Sequence, residues 1–312
     1  FMQAFWNVEE AQAKAIQQLA SFVRDNSALP LLLTFTEVVT FAMKTHIDSL
    51  ELQVDGCSLL LEILSQALEQ DVVAALGENV IRSLLETVRK HSENEELLSL
   101  VCTLLMMISA SEVATKNLRK AGVIPDLLSI LRNFLHNEQI CLSCCGVLWS
   151  LAVSENNVDQ ALLKSAVPVV SAVLQEHVQS GTVVESACSA LWALSLQGCL
   201  AENEYEPTTA LLLDALRMNP ERPVLVKNAC LALASLLRLS GLSALRFIRD
   251  SKGSGINLIK DAYCLHFDDA EVVEDICMLM NEMVQYDNVV LDMLSQEMEE
   301  LLFEIKIRFP SR

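Results

Sequence analysis

At 312 residues the chain is longer than the size at which one compact core normally keeps growing. Apolar residues make up 52% of it, and only nine Gly and seven Pro interrupt its long stretches of helix-forming residues. The net charge of −19 disfavours nucleic acid and anionic membranes, so we expect neither as a partner.

A small residue recurs every 42 to 47 positions along the chain. Each one is followed by apolar residues three and six places later, which is the spacing of one helix face. We call these small residues the anchors: Ala13, Cys57, Cys102, Cys145, Cys188, Cys230 and Cys277. A fixed period of this length indicates stacked helical repeats. The sequence therefore predicts an all-α chain, a right-handed α-solenoid of about seven repeats.

The stretch 112–153 shows the repeat most clearly. Its pattern predicts a short helix from Glu112 to Lys120, a second from Asp126 to Phe134 and a third from Glu138 to Val153. We expect the same division into three helices in the other repeats, with the anchor on the third.

Gly and Pro mark the turn that precedes the second helix. The turn is predicted at Ala121–Pro125, with equivalents at Ser165–Pro168, Gly77–Ile81 and Gly253–Ile256. Pro is tolerated in the first turn of a helix, so these segments are expected to end one helix and start the next.

Histidines recur in the same register. They precede their anchors by 9 or 11 residues, and in the repeat anchored by Cys230 the equivalent position is occupied by Asn219. The five are His46, His91, His136, His177 and His266. We expect them at the ends of second helices, where they cap carbonyl groups, because one His per repeat leaves metal ligands too far apart.

The ten cysteines are predicted to be free. Neighbouring helices pack about 8–10 Å apart, whereas a disulfide needs Cα atoms about 4.4–6.8 Å apart. Buried free thiols favour a reducing, cytoplasmic setting. The run Cys141, Cys144 and Cys145 is expected to divide between the core and the surface of one helix, with no metal or other cofactor.

Two segments carry a resemblance to a known class. Ala121–Leu128 resembles the armadillo turn before the second helix, and Trp192–Ser195 resembles the armadillo third helix. The chain thus resembles armadillo/HEAT α-solenoids over nearly its whole length. A second resemblance is to the helical segment of serine/threonine kinase-like proteins, although no Gly-rich loop, His-Arg-Asp or Asp-Phe-Gly motif is present.

The armadillo resemblance implies that a partner protein binds along a concave groove lined by the third helices. In peptide-binding members a Trp, and an Asn four residues later, hold an extended backbone. Trp149 and Trp192 match the Trp position. The Asn position is instead filled by Ser65, Ala110, Val153, Leu196, Arg238 and Gln285. Without the row of amides, an amphipathic helix or apolar segment is the expected partner.

Residues one, four and eight places after each anchor are predicted to face this groove, and its middle is apolar. The predicted partner-binding residues are Leu61, Met106, Trp149, Val153, Trp192, Leu196, Lys227 and Arg238. Two alternatives stay open. The apolar stripe is either a binding site or part of the core, and the two cations either receive an acidic partner or neutralise the acidic segment 261–304.

The sequence contains no recognisable catalytic motif, so we expect a non-catalytic protein-interaction scaffold. Because the chain begins with Phe1, we also expect it to be a regulatory arm of a longer protein. The predicted organisation is a single solenoid, 1–312, with a cap at 1–50, central repeats at 51–298 and a second cap at 299–312. The alternative function is a structural module that binds a second copy of itself through end or side contacts.

Overall fold

The computed structural model describes residues 1–25, 29–69, 77–154 and 160–309. These residues form 17 helices and no strand, which confirms the all-α prediction for the described part of the chain. The helices are α1 (Glu9–Asp25), α2 (Leu29–Thr45), α3 (Leu50–Glu69), α4 (Glu78–Lys90), α5 (Glu95–Ile108), α6 (Glu112–Lys120), α7 (Val123–Asn133), α8 (Glu138–Val153), α9 (Gln160–Glu176), α10 (Gly181–Leu196), α11 (Glu202–Met218), α12 (Pro223–Leu239), α13 (Gly241–Ile248), α14 (Gly255–His266), α15 (Ala270–Met283), α16 (Asp287–Ser295) and α17 (Met298–Arg308).

The helices belong to two compact units, Phe1–Ser154 (unit 1) and Glu155–Arg312 (unit 2). In unit 1 the anchor helices α1, α3, α5 and α8 pack on one another in chain order. Helices α2, α4 and α7 form a second layer in the same order. Unit 2 repeats the arrangement, with α10, α12 and α15 in one layer and α9, α11 and α14 in the other. Each unit is therefore built by sequential packing of neighbouring helices.

Most of the anchors are buried in the cores of the two units. Five of the six anchor cysteines have no exposed surface, and Cys277 is half-buried. The residues three and six places after Cys145 and Cys188 are also buried, as the helical register requires. All ten cysteines are free thiols. Burial raises the pKa of the Cys57 and Cys188 thiols to about 12, so both stay protonated at neutral pH.

The recurrent histidines lie at or just beyond the ends of second-layer helices, as predicted. Their hydrogen bonds, however, reach the previous repeat. The ring of His46 donates to Trp6 O at 2.9 Å and that of His91 to Ile47 O at 2.7 Å. In unit 2 the same bond joins His266 to Pro220 O at 2.7 Å, and Asn219 to Val178 O at 2.9 Å. These side chains thus satisfy loop carbonyls 40 to 46 residues earlier in the chain.

The predicted three-helix division holds in only part of the described chain. α6 and α8 have the predicted bounds, and α7 begins three residues early, at Val123. The sequence α13–α14–α15 repeats this division. Elsewhere in the described residues a single helix precedes the anchor helix, and segments 70–76 and 155–159 lie outside the description.

The predicted turn at Ser165–Pro168 is wrong, because α9 continues through it. At the equivalent place before α7, Gly122 adopts the left-handed conformation, with φ 71° and ψ 43°, and so breaks the helix. Ser165 stands at the corresponding place in α9. Glycine enters the left-handed region without steric cost, whereas a residue with a Cβ favours continued helix.

The expected division of Cys141, Cys144 and Cys145 between core and surface is also wrong. All three side chains are fully buried. Cys141 donates to Leu135 O at 3.2 Å, and the Cys144 and Cys102 sulfurs are 3.5 Å apart. The three thiols therefore fill space between α8 and its neighbours.

Replacing Cys188 with Leu is expected to destabilise unit 2 by about 1–3 kcal/mol, because Cys188 is fully buried and the larger side chain would overpack the core. Chemical unfolding followed by circular dichroism measures the change. Cys264→Leu, at an exposed cysteine, is the matched control and should change stability little. Equal effects of the two substitutions would contradict the packing role of the anchor.

Removing the ring of His91 should cost about 1 kcal/mol of unfolding free energy, because the carbonyl of Ile47 loses its donor. The control is His136→Ala, whose exposed ring lies 3.4 Å from the Glu95 carboxylate. Such an exposed pair contributes little. A larger loss for His136→Ala than for His91→Ala would overturn this assignment.

Candidate protein-binding surface

The predicted groove residues lie on a solvent-accessible side of the anchor helices. We define this surface, the outer face, as the residues one, four and eight places after each anchor. In unit 1 it includes Trp149, which is 39% exposed, and Val153, which is 48% exposed, both at the end of α8. Met106 on α5 and Leu61 on α3 are half-buried. Since α3, α5 and α8 pack in order, the four side chains follow one layer of unit 1.

In unit 2 the apolar part of the outer face lies mainly on α10. Leu196 is 54% exposed and Trp192 is half-buried. Met278 on α15 is also exposed. Ala234 on α12, four places after Cys230, is buried, so the prediction that it faces the groove is wrong. The apolar row of unit 2 is therefore not continuous across α12.

Hydroxyl and amide groups on and beside the outer face join neighbouring anchor helices. In unit 1 the Thr103 and Ser143 hydroxyls are 3.4 Å apart, and Ser109 donates to Ser150 Oγ at 3.2 Å. In unit 2 Asn228 Nδ2 donates to Ser189 Oγ at 2.6 Å. Polar side chains with partners inside the unit need no ligand, whereas the side chains of Trp149, Val153 and Leu196 are exposed and apolar.

Lys227 and Arg238, the predicted cationic members of the site, are paired within unit 2. Lys227 forms an ion pair with Glu271, and Arg238 Nε lies 3.7 Å from Glu282 Oε1. Both carboxylates belong to α15, so the basic helix α12 faces the acidic helix beside it. This is the neutralising arrangement that the sequence left open. Whether the two cations also contact a partner stays a prediction.

Arg217 and Arg246 lie beside a buried carboxylate that the sequence did not single out. The Asp250 side chain is 3% exposed and lies 2.6 Å from Arg217 Nη2 and 3.2 Å from Arg246 Nε. Lys252 pairs with Asp214 at 2.7 Å. These pairs hold the loop between α13 and α14 against α11, so this cluster is structural and not a surface for an acidic ligand.

One carboxylate of α15, that of Asp275, has a raised pKa. Asp275 of α15 is half-buried, and desolvation raises its pKa to about 6. Lys227 opposes this change, whereas Glu274, Glu271 and Asp269 add to it. Ionised Asp275 therefore carries a cost at neutral pH, since no cation compensates for its burial fully.

The described residues contain no group of three or more His, Cys, Asp or Glu side chains placed to hold a metal ion. Among the helices that the structure describes, none has the length and apolarity needed to cross a membrane. No known protein-family model matches the sequence. The geometry of the outer face and of the helix ends is thus the basis for assigning a function.

Replacing Asp275 with Asn should stabilise unit 2 at neutral pH by about 1 kcal/mol, after allowance for solvent screening. The folded pKa of about 6 lies above the ordinary 3.8, so the native state binds a proton more tightly than the unfolded state. The cost of ionisation is fully present above pH 6 and disappears as the pH falls towards 3.8. The gain should therefore vanish near the lower value.

Chemical unfolding across this pH range measures the gain. Asp261→Asn, at an exposed aspartate of the same unit, serves as the control and should change stability little. A gain for Asp275→Asn that stays constant from pH 7 down to 3.8 would rule out the altered ionisation.

Proposed function

We propose that the chain is a non-catalytic protein-interaction scaffold that binds an apolar partner segment on the outer face of its anchor helices. The observation that carries the proposal is the exposure of Trp149 beside Val153, with Met106 accessible on the neighbouring helix. Trp residues at accessible positions are typical energetic centres of protein interfaces. Each unit has its own apolar portion, so a partner can engage either unit independently.

The chemistry of the outer face favours an amphipathic helix. An extended peptide needs donors and acceptors for its backbone, but residues such as Val153 and Leu196 stand where a backbone-binding Asn is required. A helix satisfies its own backbone and needs only apolar contact. Exposed apolar side chains next to internally paired polar groups provide that contact.

The sequential packing within each unit supports the larger prediction of an armadillo-like solenoid with about seven repeats. The scaffold is proposed to act without cofactor or catalysis. Its setting is proposed to be the reducing cytoplasm, since buried protonated thiols such as Cys188 serve as packing residues there.

Self-assembly is the second candidate function. The exposed apolar side chains of α16 and α17, Leu291, Phe303 and Ile307 among them, favour an end contact with a second copy. The pairing of Lys227 and Arg238 with α15 weakens the electrostatic form of this hypothesis, because those cations are already neutralised. Sedimentation over a range of protein and salt concentrations tests it, and a monomer throughout would exclude it.

A charged side chain on the outer face should weaken the binding of the partner. Trp149→Glu should reduce the capture of partners that bind unit 1, and Leu196→Glu the capture of partners that bind unit 2. We expect each reduction to be at least about tenfold. Both side chains are accessible, so the variants should fold. Quantitative mass spectrometry of proteins retained from a lysate measures the change.

Val113→Glu is the matched control, because Val113 is 60% exposed on α6, which is not an anchor helix. Circular dichroism establishes that all three variants are folded. If Trp149→Glu and Leu196→Glu retain the same proteins as the wild type and Val113→Glu, the outer face is not the binding surface.

A further inference from the structure

The charges of unit 1 are divided unevenly between its helices. The anchor helices α3, α5 and α8 contain seven Asp and Glu residues and no Lys or Arg. α2, α4, α6 and α7 have the same total length and contain eight Lys and Arg residues beside five Asp and Glu. The charged groups of α3, α5 and α8 are therefore all negative. They belong to Glu51, Asp55, Glu62, Glu69, Glu95, Glu96 and Glu138.

Some of these carboxylates lie on the same side of their helix as the outer face. On α5 four accessible side chains follow one another at spacings of three and four, which is one side of a helix: Glu96, Ser99, Thr103 and Met106. On α3 Glu62 follows Leu61 directly and is half-buried like it, and Glu51 lies about three turns before Glu62. We call Glu51, Glu62 and Glu96 the acidic group.

Unit 2 has carboxylates at the same places of the repeat. Glu271 stands six positions before its anchor, the place that Glu51 and Glu96 take in unit 1. Glu282 stands five positions after the same anchor, the place of Glu62. The anchor helices of the two units can therefore be compared position by position.

In unit 2 the preceding anchor helix provides a cation for each of these carboxylates. Lys227 of α12 forms an ion pair with Glu271, and Arg238 Nε of the same helix lies 3.7 Å from Glu282 Oε1. The negative charge at these two places is thus compensated from within the unit.

In unit 1 the preceding anchor helices provide no such cation. The place of Lys227 is occupied by Glu10 on α1 and by Val54 on α3. The place of Arg238 is occupied by Ser21 on α1. The carboxylates are retained in unit 1, but the cations that would pair with them are not.

Other cations of unit 1 do not replace them. α1 contains Lys14 and Arg24, but no ion pair among the described residues includes a member of the acidic group. Glu62 accepts a hydrogen bond from Gln66 Nε2 at 3.4 Å, and a neutral amide leaves its charge uncompensated. Segments 26–28 and 70–76, which lie outside the described residues, contain no Lys or Arg.

The helix dipole explains part of this pattern. Glu51 and Glu96 lie in the first turns of α3 and α5, where the positive end of the dipole stabilises a carboxylate. Glu62 lies in the second half of α3, where the dipole gives no such stabilisation. The last turns of α3, α5 and α8 contain no basic residue, although a cation is favoured there. Helix stability therefore does not account for the absence of cations.

We propose that the acidic group receives Lys or Arg side chains of a partner protein, so that unit 1 binds a basic amphipathic helix whose apolar stripe contacts Met106 and Trp149. This inference rests on the function proposed above, and it adds the charge of the partner and the unit that binds it. Complementary charge orients a partner and excludes partners of the wrong sign.

The dimensions of the layer agree with such a helix. Neighbouring helix axes lie about 8–10 Å apart, so α3, α5 and α8 together span about 20 Å between their outer axes. A helix of about 14 residues has the same length. Such a helix can place a cation near Glu62 on α3 and an apolar side chain on Trp149 of α8.

Two designed peptides test the charge of the partner. Each has about 14 residues, with leucine at spacings of three and four along one side of a helix. One carries lysine at the remaining positions and the other carries glutamate. Fluorescence anisotropy under reducing conditions measures the binding of each peptide to the whole chain. We expect the lysine peptide to bind at least about tenfold more tightly, with an affinity that falls as salt is added.

Reversing the acidic group separates this site from general attraction to a chain of net charge −19. Glu62→Lys combined with Glu96→Lys should weaken binding of the lysine peptide by about tenfold or more. The control is Glu37→Lys combined with Glu202→Lys, at exposed residues of α2 and α11. It changes the net charge equally and should alter the affinity by less than about twofold.

Trp149→Glu should also weaken binding of the lysine peptide by about tenfold, because the apolar stripe loses its contact. Circular dichroism establishes that each variant is folded. If the lysine double variant is unfolded, Glu62→Gln combined with Glu96→Gln gives the same comparison.

The outcomes distinguish this inference from the proposed function. Failure of the lysine peptide to bind, equal binding by the glutamate peptide, or equal binding to the reversed and control variants would overturn the inference. The proposed function would still stand if Trp149→Glu lost its partners from a lysate. A wild-type chain that sediments as an oligomer which the reversed variant dissociates would also overturn the inference, because the occupant would then be a second copy.

Discussion

Close packing between successive anchor helices is the constraint on which the rest of each unit depends. Helices approach to about 8–10 Å only where the side chains between them are small enough. The buried thiols of Cys102 on α5 and Cys144 on α8, whose sulfurs are 3.5 Å apart, meet that condition. Because one anchor follows another at 42 to 47 residues, the chain between them must leave the layer, form the second layer and return. The hydrogen bonds from His91 to Ile47 and from His266 to Pro220 span the same interval and join the returning loops.

This packing also determines which surfaces stay accessible. An anchor helix packs on its neighbours in the first layer and on the second layer, and a further side stays uncovered. Trp149 and Leu196 are exposed on that side.

The periodic features of the fold could be predicted from the sequence, and the features set by distant contacts could not. The bounds of α6 and α8 follow from local pattern, and the anchors follow from repetition. Whether Pro168 breaks a helix depends on a competition between local geometry and packing, and here the helix continues. The carbonyls bound by the histidines lie 40 or more residues away, so no local rule identifies them.

The register of stacked anchor helices is tested most directly by a double-mutant cycle on Asn228 and Ser189, which join α12 to α10 at 2.6 Å. Unfolding free energies of Asn228→Ala, Ser189→Ala and the double variant should show a coupling of about 0.5–1 kcal/mol. The same cycle with Ser165→Ala, on α9, should be additive, since that hydroxyl donates to Leu162 O. A coupling of zero between Asn228 and Ser189 would contradict the stacking register from which the outer face is derived.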